Sequence, residues 1–430
     1  MASHTTIRSR ASLSQISQSY RHRTRRSAEL YENAKKVMPG GTSRQAGYWP
    51  PYPLAIETAS GAHFHDVDQN RYLDLVNNYT ALVHGHAYPP IIEAAQAQTA
   101  NGTSWSAANE AQNLLAEQLV ERLPAVEQIR FTNSGTEAGS LAFTIARKIT
   151  GKNKLLMARF GYHGSLMEFE CGSFGHEGPN TYLAGFGDLT DFQSVLEDHG
   201  QEIAAVFIEP VLGSGGVIPA EPSFLNGIRD AAHKAGALLV LDEVLTYRFA
   251  IGGCQSLMQI DPDLTMIGKG IGGGFPVGAV GGKRDLMRVF DPADLKLFHT
   301  GTFNANPVTM AAGSVSVREL TADRIATMHA LAENLKSALI MIISEAGFPV
   351  SINHFGSCLN LYFSKMPPAS SIVREDADIM SKFHLAAMNH GLFIAPRGMM
   401  ALSTITTQNH IDEAIDCAEA ALADLVAEYS

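Results

Sequence analysis

The middle of the chain alternates short apolar runs with stretches of helical spacing, and the apolar runs end on polar residues. Residues 128–132 read as a strand, followed by a turn at 133–136 and a helix over 137–150. Residues 154–158 form another apolar run. A strand at 204–209 ends in Glu209-Pro210, helical spacing covers 224–234, and a strand at 237–241 ends in Asp242-Glu243. A short strand at 264–267 ends at Gly268-Lys269. Strands alternating with helices predict an α/β fold with a mostly parallel sheet and right-handed crossovers. In such sheets a ligand sits beyond the carboxyl ends of the strands. These polar residues fall at those ends.

Beyond residue 307 helical patterns run over 310–320 and 325–346. A strand at 358–363, a helix near 377–390, a strand at 392–394 and a final helix from 411 follow. Three parts are expected: an N-terminal arm and helix over 1–60 belonging to the small domain, a large domain over 61–310, and a smaller α/β C-terminal domain over 311–430.

Composition narrows the function. The 430 residues carry 32 Lys+Arg against 43 Asp+Glu, a net charge of −11, and 17% are charged. An average soluble chain holds about 25% charged residues, so a large core or a surface buried on a partner subunit is expected. The acidic balance argues against nucleic acid, which needs a basic face. No apolar run reaches the ~18 residues of a membrane span. Cys171, Cys254, Cys358 and Cys417 lie far apart with no zinc spacing, which fits a reduced compartment and no metal site. Arg8, Arg10, Arg21, Arg23, Arg25 and Arg26 precede the first acid, Glu29, among frequent Ser and Thr. That is the composition of an organelle transit peptide. It is also that of a solvated basic arm leading into a helix at 27–37. Its apolar residues, Ile7, Leu13 and Ile16, are sparse for a targeting helix, and the expected location is the cytoplasm.

Several strand ends carry chemistry. Asn133-Ser134-Gly135-Thr136-Glu137 joins a strand to a helix, and helix N-termini bind phosphate through free N–H groups; an ordinary N-cap reads the same way. Asp242 closes a buried strand, where a carboxylate needs a partner: a protonated ring nitrogen, an ion pair or a helix cap. Lys269 follows another apolar strand inside a glycine-rich loop. A desolvated lysine becomes a nucleophilic amine suited to Schiff-base chemistry; a flexible surface loop is the other reading. Tyr162 in Tyr162-His163-Gly164 suits stacking on a planar ring or core packing. Thr302 in Gly301-Thr302-Phe303 suits a phosphate contact or a helix start. The Gly268-x-Gly270-x-x-Gly273 spacing is a weak dinucleotide signal, because no clear helix follows.

Taken in order, the motifs NSGTEA at 133–138, YHG at 162–164, EP at 209–210, LDEV at 241–244, GKGIGGGFPVGAVGG at 268–282 and HTGTFNANPVTMAAG at 299–313 resemble the class III aminotransferases. These are fold-type I enzymes that use pyridoxal 5'-phosphate. The resemblance runs from about Met38 to the C-terminus. It implies that Lys269 carries the cofactor and Asp242 pairs with its pyridinium nitrogen. It also implies that Ser134, Gly135 and Thr136 hold the phosphate, that Tyr162 and Val244 sandwich the ring, and that Glu209 belongs to the cofactor site. Thr302 would reach the phosphate of a neighbouring subunit, making the active unit a homodimer.

Within the family the sequence is similar to β-phenylalanine-type aminotransferases and to glutamate-1-semialdehyde aminomutases. Arg44, after Gly40-Gly41, and Arg397, after Ile394-Ala395-Pro396, match the former, which take a substrate carboxylate with one arginine in each place. Arginine suits bidentate carboxylate binding; a loop clamp for Arg44 and a surface ion pair for Arg397 are the other readings. Arg248, in Leu245-Thr246-Tyr247-Arg248, is a third candidate. Tyr48, Trp49, Tyr52, Tyr79 and Val83 suggest an apolar substrate pocket or packing. The expected reaction moves an amino group from a β-amino acid or related amine to a 2-oxo acid such as 2-oxoglutarate. An aminomutase, a catalytically silent binding protein of the same fold, or a nucleotide-binding oxidoreductase are the alternatives.

Overall fold

The computed structural model describes residues 14–429, so Ile7, Arg8, Arg10 and Leu13 of the basic N-terminus lie outside the described residues. The fold is built around a seven-stranded sheet. Across it lie Gln128–Thr132, Gly278–Gly282, Leu264–Gly268, Leu238–Asp242, Ile203–Ile208, Lys154–Ala158 and Thr181–Ala184. Gly278–Gly282 is antiparallel to both neighbours and the other pairings are parallel. Every residue of Ile203–Ile208 is buried. This is what a near-continuous apolar run becomes when helices cover both faces of a sheet.

Ala138, Leu141, Ala142 and Ile145 of the helix Gly135–Thr150 pack on one face against Leu155, Phe207 and Val240. On the other face Phe192 and Leu196 of Leu189–His199 and Leu225 and Ile228 of Pro222–Lys234 meet Val206, Leu239 and Leu241. Each of the Leu, Ile, Val and Phe side chains contributes roughly 1.5–3 kcal/mol by leaving water.

The strand Gly278–Gly282 does not read as a strand, because glycine is poor in β-structure. Close packing explains its composition. A Cβ built on Gly278 would lie 2.0 Å from the Ser134 carbonyl oxygen, so the strand can pass beneath the 133–136 turn only without a side chain at that position.

The N-terminal helix Gln15–Arg23 is docked rather than solvated, while Arg25–Ala34, which follows it, buries only Ser27. Ile16 and Tyr20 are buried with Leu331, Leu335 and Phe383 of the C-terminal part. Tyr20 donates to the Tyr52 carbonyl at 2.8 Å and accepts from Trp49 Nε1 at 3.2 Å. Trp49 and Tyr52 therefore pack in this core. Tyr48 is exposed and stacks at a tilt on Tyr31, 6.1 Å between centroids.

A second sheet combines Ile56–Ser60, His63–Asp66, Arg71–Asp74 and Leu392–Phe393, the last pairing in parallel with Arg71–Asp74. A third combines Ser351–Phe355, Cys358–Tyr362 and Met399–Ala401. Among the described residues no helix is long and apolar enough to cross a membrane, and no acid, His or Cys cluster has metal-site geometry. Cys254, Cys358 and Cys417 are free thiols.

Candidate active site

The register of the large sheet gathers the strand-end residues. Gly268 pairs with Gly278, and Gly278 with Thr132; Asp242 pairs with Met266 on the other side. Ser134, Asp242 and Lys269 thus emerge along one edge. Ser134 is the N-cap of Gly135–Thr150, and its hydroxyl accepts from the Glu137 N–H at 3.1 Å. The Ala138 N–H bonds the Ser134 carbonyl at 3.0 Å. The N–H groups of Gly135 and Thr136 take no acceptor among the described residues. Two free donors at the positive end of a helix dipole form an anion cradle.

The loop 161–164 closes over this turn. Gly164 has φ +113°, and a Cβ on it would lie 2.6 Å from Thr136 Cα. Only glycine fits there. Thr136 Oγ1 accepts from the Ser165 N–H at 3.3 Å. Tyr162 stays 46% exposed at the mouth, anchored by its N–H, which donates to Glu209 Oε1 at 2.9 Å. The other Glu209 oxygen accepts from the Gly213 N–H at 3.0 Å. Burial pushes the Glu209 carboxyl up to about 7; His163 opposes the shift and Asp242 adds to it.

Asp242 is 4% exposed. Its Oδ1 accepts from the Val244 N–H at 2.9 Å and its Oδ2 from His163 Nδ1 at 2.8 Å. Because a carboxylate accepts, this geometry assigns the proton to Nδ1. His163 Nε2 is buried without a partner. His163 is the functional neighbour that sequence reasoning missed; it stands inside YHG, but nothing in the spacing points it at Asp242, 79 residues away. Val244 lies between the two turns: Cβ atoms built on Gly135 and Gly268 would meet its Cγ1 at 3.2 and 3.4 Å.

Lys269 leaves the strand Leu264–Gly268 with φ 49°, a left-handed conformation of the kind concentrated at functional sites. Desolvation lowers its ammonium pKa, opposed by the charges of Asp242 and Glu209. A fraction of neutral amine is what a Schiff-base nucleophile needs.

A second group forms around Tyr79. Arg44 bonds Asn78 Oδ1 at 2.8 Å and lies over the Tyr79 ring at 5.8 Å. Tyr79 donates to the Ala46 carbonyl. Burial raises the phenol pKa, while the guanidinium charges of Arg397 and Arg44 pull it back. The Arg397 carbonyl accepts from Asn360 and Arg374. Its guanidinium makes no ion pair or hydrogen bond among the described residues. Three residues far apart in sequence are thus brought together, with two cations and no carboxylate.

Arg248 does not join them. It is 3% exposed and bonded to backbone carbonyls of Thr80 and Leu402, so it is no candidate for a substrate carboxylate. Thr302 is exposed and makes no hydrogen bond to the Asp242–Lys269 group. Its turn is tied to the phosphate-type turn through Asn304, whose Oδ1 accepts from Asn133 Nδ2 at 2.8 Å.

The residues present fit pyridoxal phosphate on three counts: the free N–H pair beside Ser134, an oriented buried carboxylate, and a desolvated amine on one sheet edge. Comparison with known proteins agrees. The family model for aminotransferase class-III matches residues 45–422. The beta-phenylalanine transaminase of Variovorax paradoxus is 36% identical over 390 residues, covering 90% of each chain. The glutamate-1-semialdehyde 2,1-aminomutase of Desulforudis audaxviator is 37% identical over 420 residues, 92% of this chain and 97% of that one. A crystal structure of an omega-transaminase from Sphaerobacter thermophilus superposes with a TM-score of 0.89 at 38% identity, covering 93% and 97% of the two chains. With a buried lysine, an oriented aspartate and an anion cradle in the family's order, this chain belongs to the class III aminotransferases, pyridoxal-phosphate-dependent enzymes of fold type I.

Proposed function

We propose that the enzyme transfers an amino group from a β-amino acid such as β-phenylalanine to a 2-oxo acid such as 2-oxoglutarate. The observation that carries this reading is the pair of arginines at Tyr79. Among the described residues the Arg397 guanidinium has no anionic partner and that of Arg44 hydrogen-bonds Asn78 and lies over Tyr79, so a substrate carboxylate would complete the set. The name of the Variovorax relative supports it.

Pyridoxal phosphate, when bound, supplies an electrophilic aldehyde and an electron sink. The chain's own residues do the rest in this reading. Gly135 and Thr136 donate N–H groups to the phosphate, and Ser134 braces their turn. Asp242, oriented by His163 and Val244, keeps a proton on the ring nitrogen. Tyr162 and Val244 flank the ring, and Glu209 fixes the Tyr162 backbone. Lys269 Nζ would hold the cofactor and then, as a free amine, would carry the proton from the substrate carbon that bears the amino group to the cofactor carbon, as base and then acid. Thr302 serves the phosphate of a second copy in a homodimer, which gives its exposure a purpose. The three-part division at residues 60 and 310 and a cytoplasmic location belong to the same reading.

The test is the visible spectrum of the purified holoenzyme with racemic β-phenylalanine. Loss of the yellow band, its recovery with 2-oxoglutarate, and absence of the band in Lys269→Ala are expected. A yellow protein unmoved by β-phenylalanine overturns the substrate assignment. Turnover of glutamate 1-semialdehyde in its place would favour the aminomutase, the activity named for the Desulforudis relative.

A further inference from the structure

Arg248 lies in the short turn Thr246–Phe249 that follows the strand bearing Asp242. It is buried, yet among the described residues no carboxylate pairs with it. Nη1 donates to the Thr80 carbonyl at 3.4 Å, and Nη2 donates to the Leu402 carbonyl and to Met328 Sδ at 3.6 Å. Nε has no partner. Burying a cation without an anion is costly, and desolvation pushes its pKa down. Core packing alone would favour an apolar side chain there.

What the guanidinium holds explains its retention. Thr80 closes a run of four left-handed residues, with φ 49° at Asn77, 49° at Asn78, 53° at Tyr79 and 74° at Thr80. Left-handed geometry costs roughly 1–2 kcal/mol per residue away from glycine, and asparagine tolerates it best. Tyr79 and the β-branched Thr80 have no such tolerance, so outside contacts must maintain the turn. Leu402 directly follows the strand Met399–Ala401, which begins two residues after Arg397. One planar fork therefore ties the segment carrying Tyr79 to the segment carrying Arg397. The same seam is stitched by Asn77 Nδ2 to the Ala401 carbonyl at 2.7 Å and by the Thr404 N–H to the Val83 carbonyl at 2.8 Å. His84 bridges Thr404 Oγ1 and the Ser316 carbonyl at 2.7 and 2.8 Å. Among these contacts Arg248 alone is charged, and charge-assisted hydrogen bonds are roughly twice as strong as neutral ones.

We propose that Arg248 is a positioning residue for the substrate carboxylate: it touches neither substrate nor cofactor but sets the spacing of Tyr79 and Arg397. The inference rests on the carboxylate-binding reading of the Arg44–Tyr79–Arg397 group. Holoenzyme kinetics with β-phenylalanine separate the two, using Arg248→Met, Arg248→Lys and Arg397→Ala. Lysine keeps the charge but, as a point donor, cannot span both carbonyls, so it carries the test if the methionine variant does not fold. KM for β-phenylalanine should rise at least tenfold in Arg248→Lys with kcat within threefold and the cofactor's visible spectrum unchanged. Arg397→Ala should raise KM further. A rise in KM for Arg397→Ala with none for Arg248→Lys overturns the positioning role alone. A fall in kcat at constant KM overturns it as well. No change in KM for Arg397→Ala means that the carboxylate reading itself has failed, and the inference falls with it.

Discussion

Replacing Glu209 by glutamine tests the electrostatics of the site through stability. In the native protein the carboxyl is pushed up to about 7 from an ordinary 4.5, first by burial and further by Asp242. Between those values the native state holds a proton that the unfolded chain has released. The contribution of this carboxyl to stability is therefore full below about pH 4.5 and is lost as pH rises through the native value. The rise from 4.5 to about 7 makes the full loss roughly 3 kcal/mol. Glu209→Gln removes that dependence. It also leaves one of the two N–H groups, from Tyr162 or Gly213, facing an amide NH₂, a pH-independent cost of about 1–3 kcal/mol. Urea unfolding of the cofactor-free protein at pH 5, 6, 7 and 8 measures both. The stability of the variant relative to wild type should move in its favour by roughly 2–3 kcal/mol between pH 5 and 8, since part of the change lies below pH 5. A flat difference, within about 0.5 kcal/mol, would refute the raised carboxyl.

Gly164→Ala drives a Cβ into Thr136 at a position with φ +113°; pyridoxal phosphate binding, followed by fluorescence titration, should weaken at least tenfold while the far-ultraviolet circular dichroism is retained. Lys152 donates to the carbonyls of Gly200, Ala235 and Gly236 at 2.8, 2.6 and 2.9 Å, closing the C-terminal ends of Leu189–His199 and Pro222–Lys234 together. Lys152→Met should cost about 2 kcal/mol in urea unfolding; a loss under about 0.5 kcal/mol would place those carbonyls on water instead. Ser134→Ala removes the N-cap and should cost about 1 kcal/mol, read by the same assay, with weaker phosphate retention.

Local periodicity made the strand ends legible. The apolar runs before Asp242 and Lys269 announce buried parallel strands, and the helix after Ser134 announces its own cap. The helix begins at Gly135, two residues before Glu137, because Ser134 caps it there. Gly278–Gly282 was illegible because its identity as a strand comes from its neighbours, which leave no room for side chains. The arginines at 44 and 397 could be nominated by motif, while Arg248, nominated for the same task, turned out to be buried under the Thr80 turn.

The physical boundary between the two kinds of knowledge is range. A residue's place on a strand, at a cap or in a glycine turn follows from its nearest neighbours in sequence, so the α/β order and the Ser134, Asp242 and Lys269 positions are properties of the chain alone. His163 reaching Asp242, Arg44 and Arg397 meeting at Tyr79, and Arg248 holding two distant carbonyls depend on groups 35 to 353 residues apart. Their partners are chosen by burial and by the need to satisfy polar groups away from water, and only the tertiary structure decides which groups share that space.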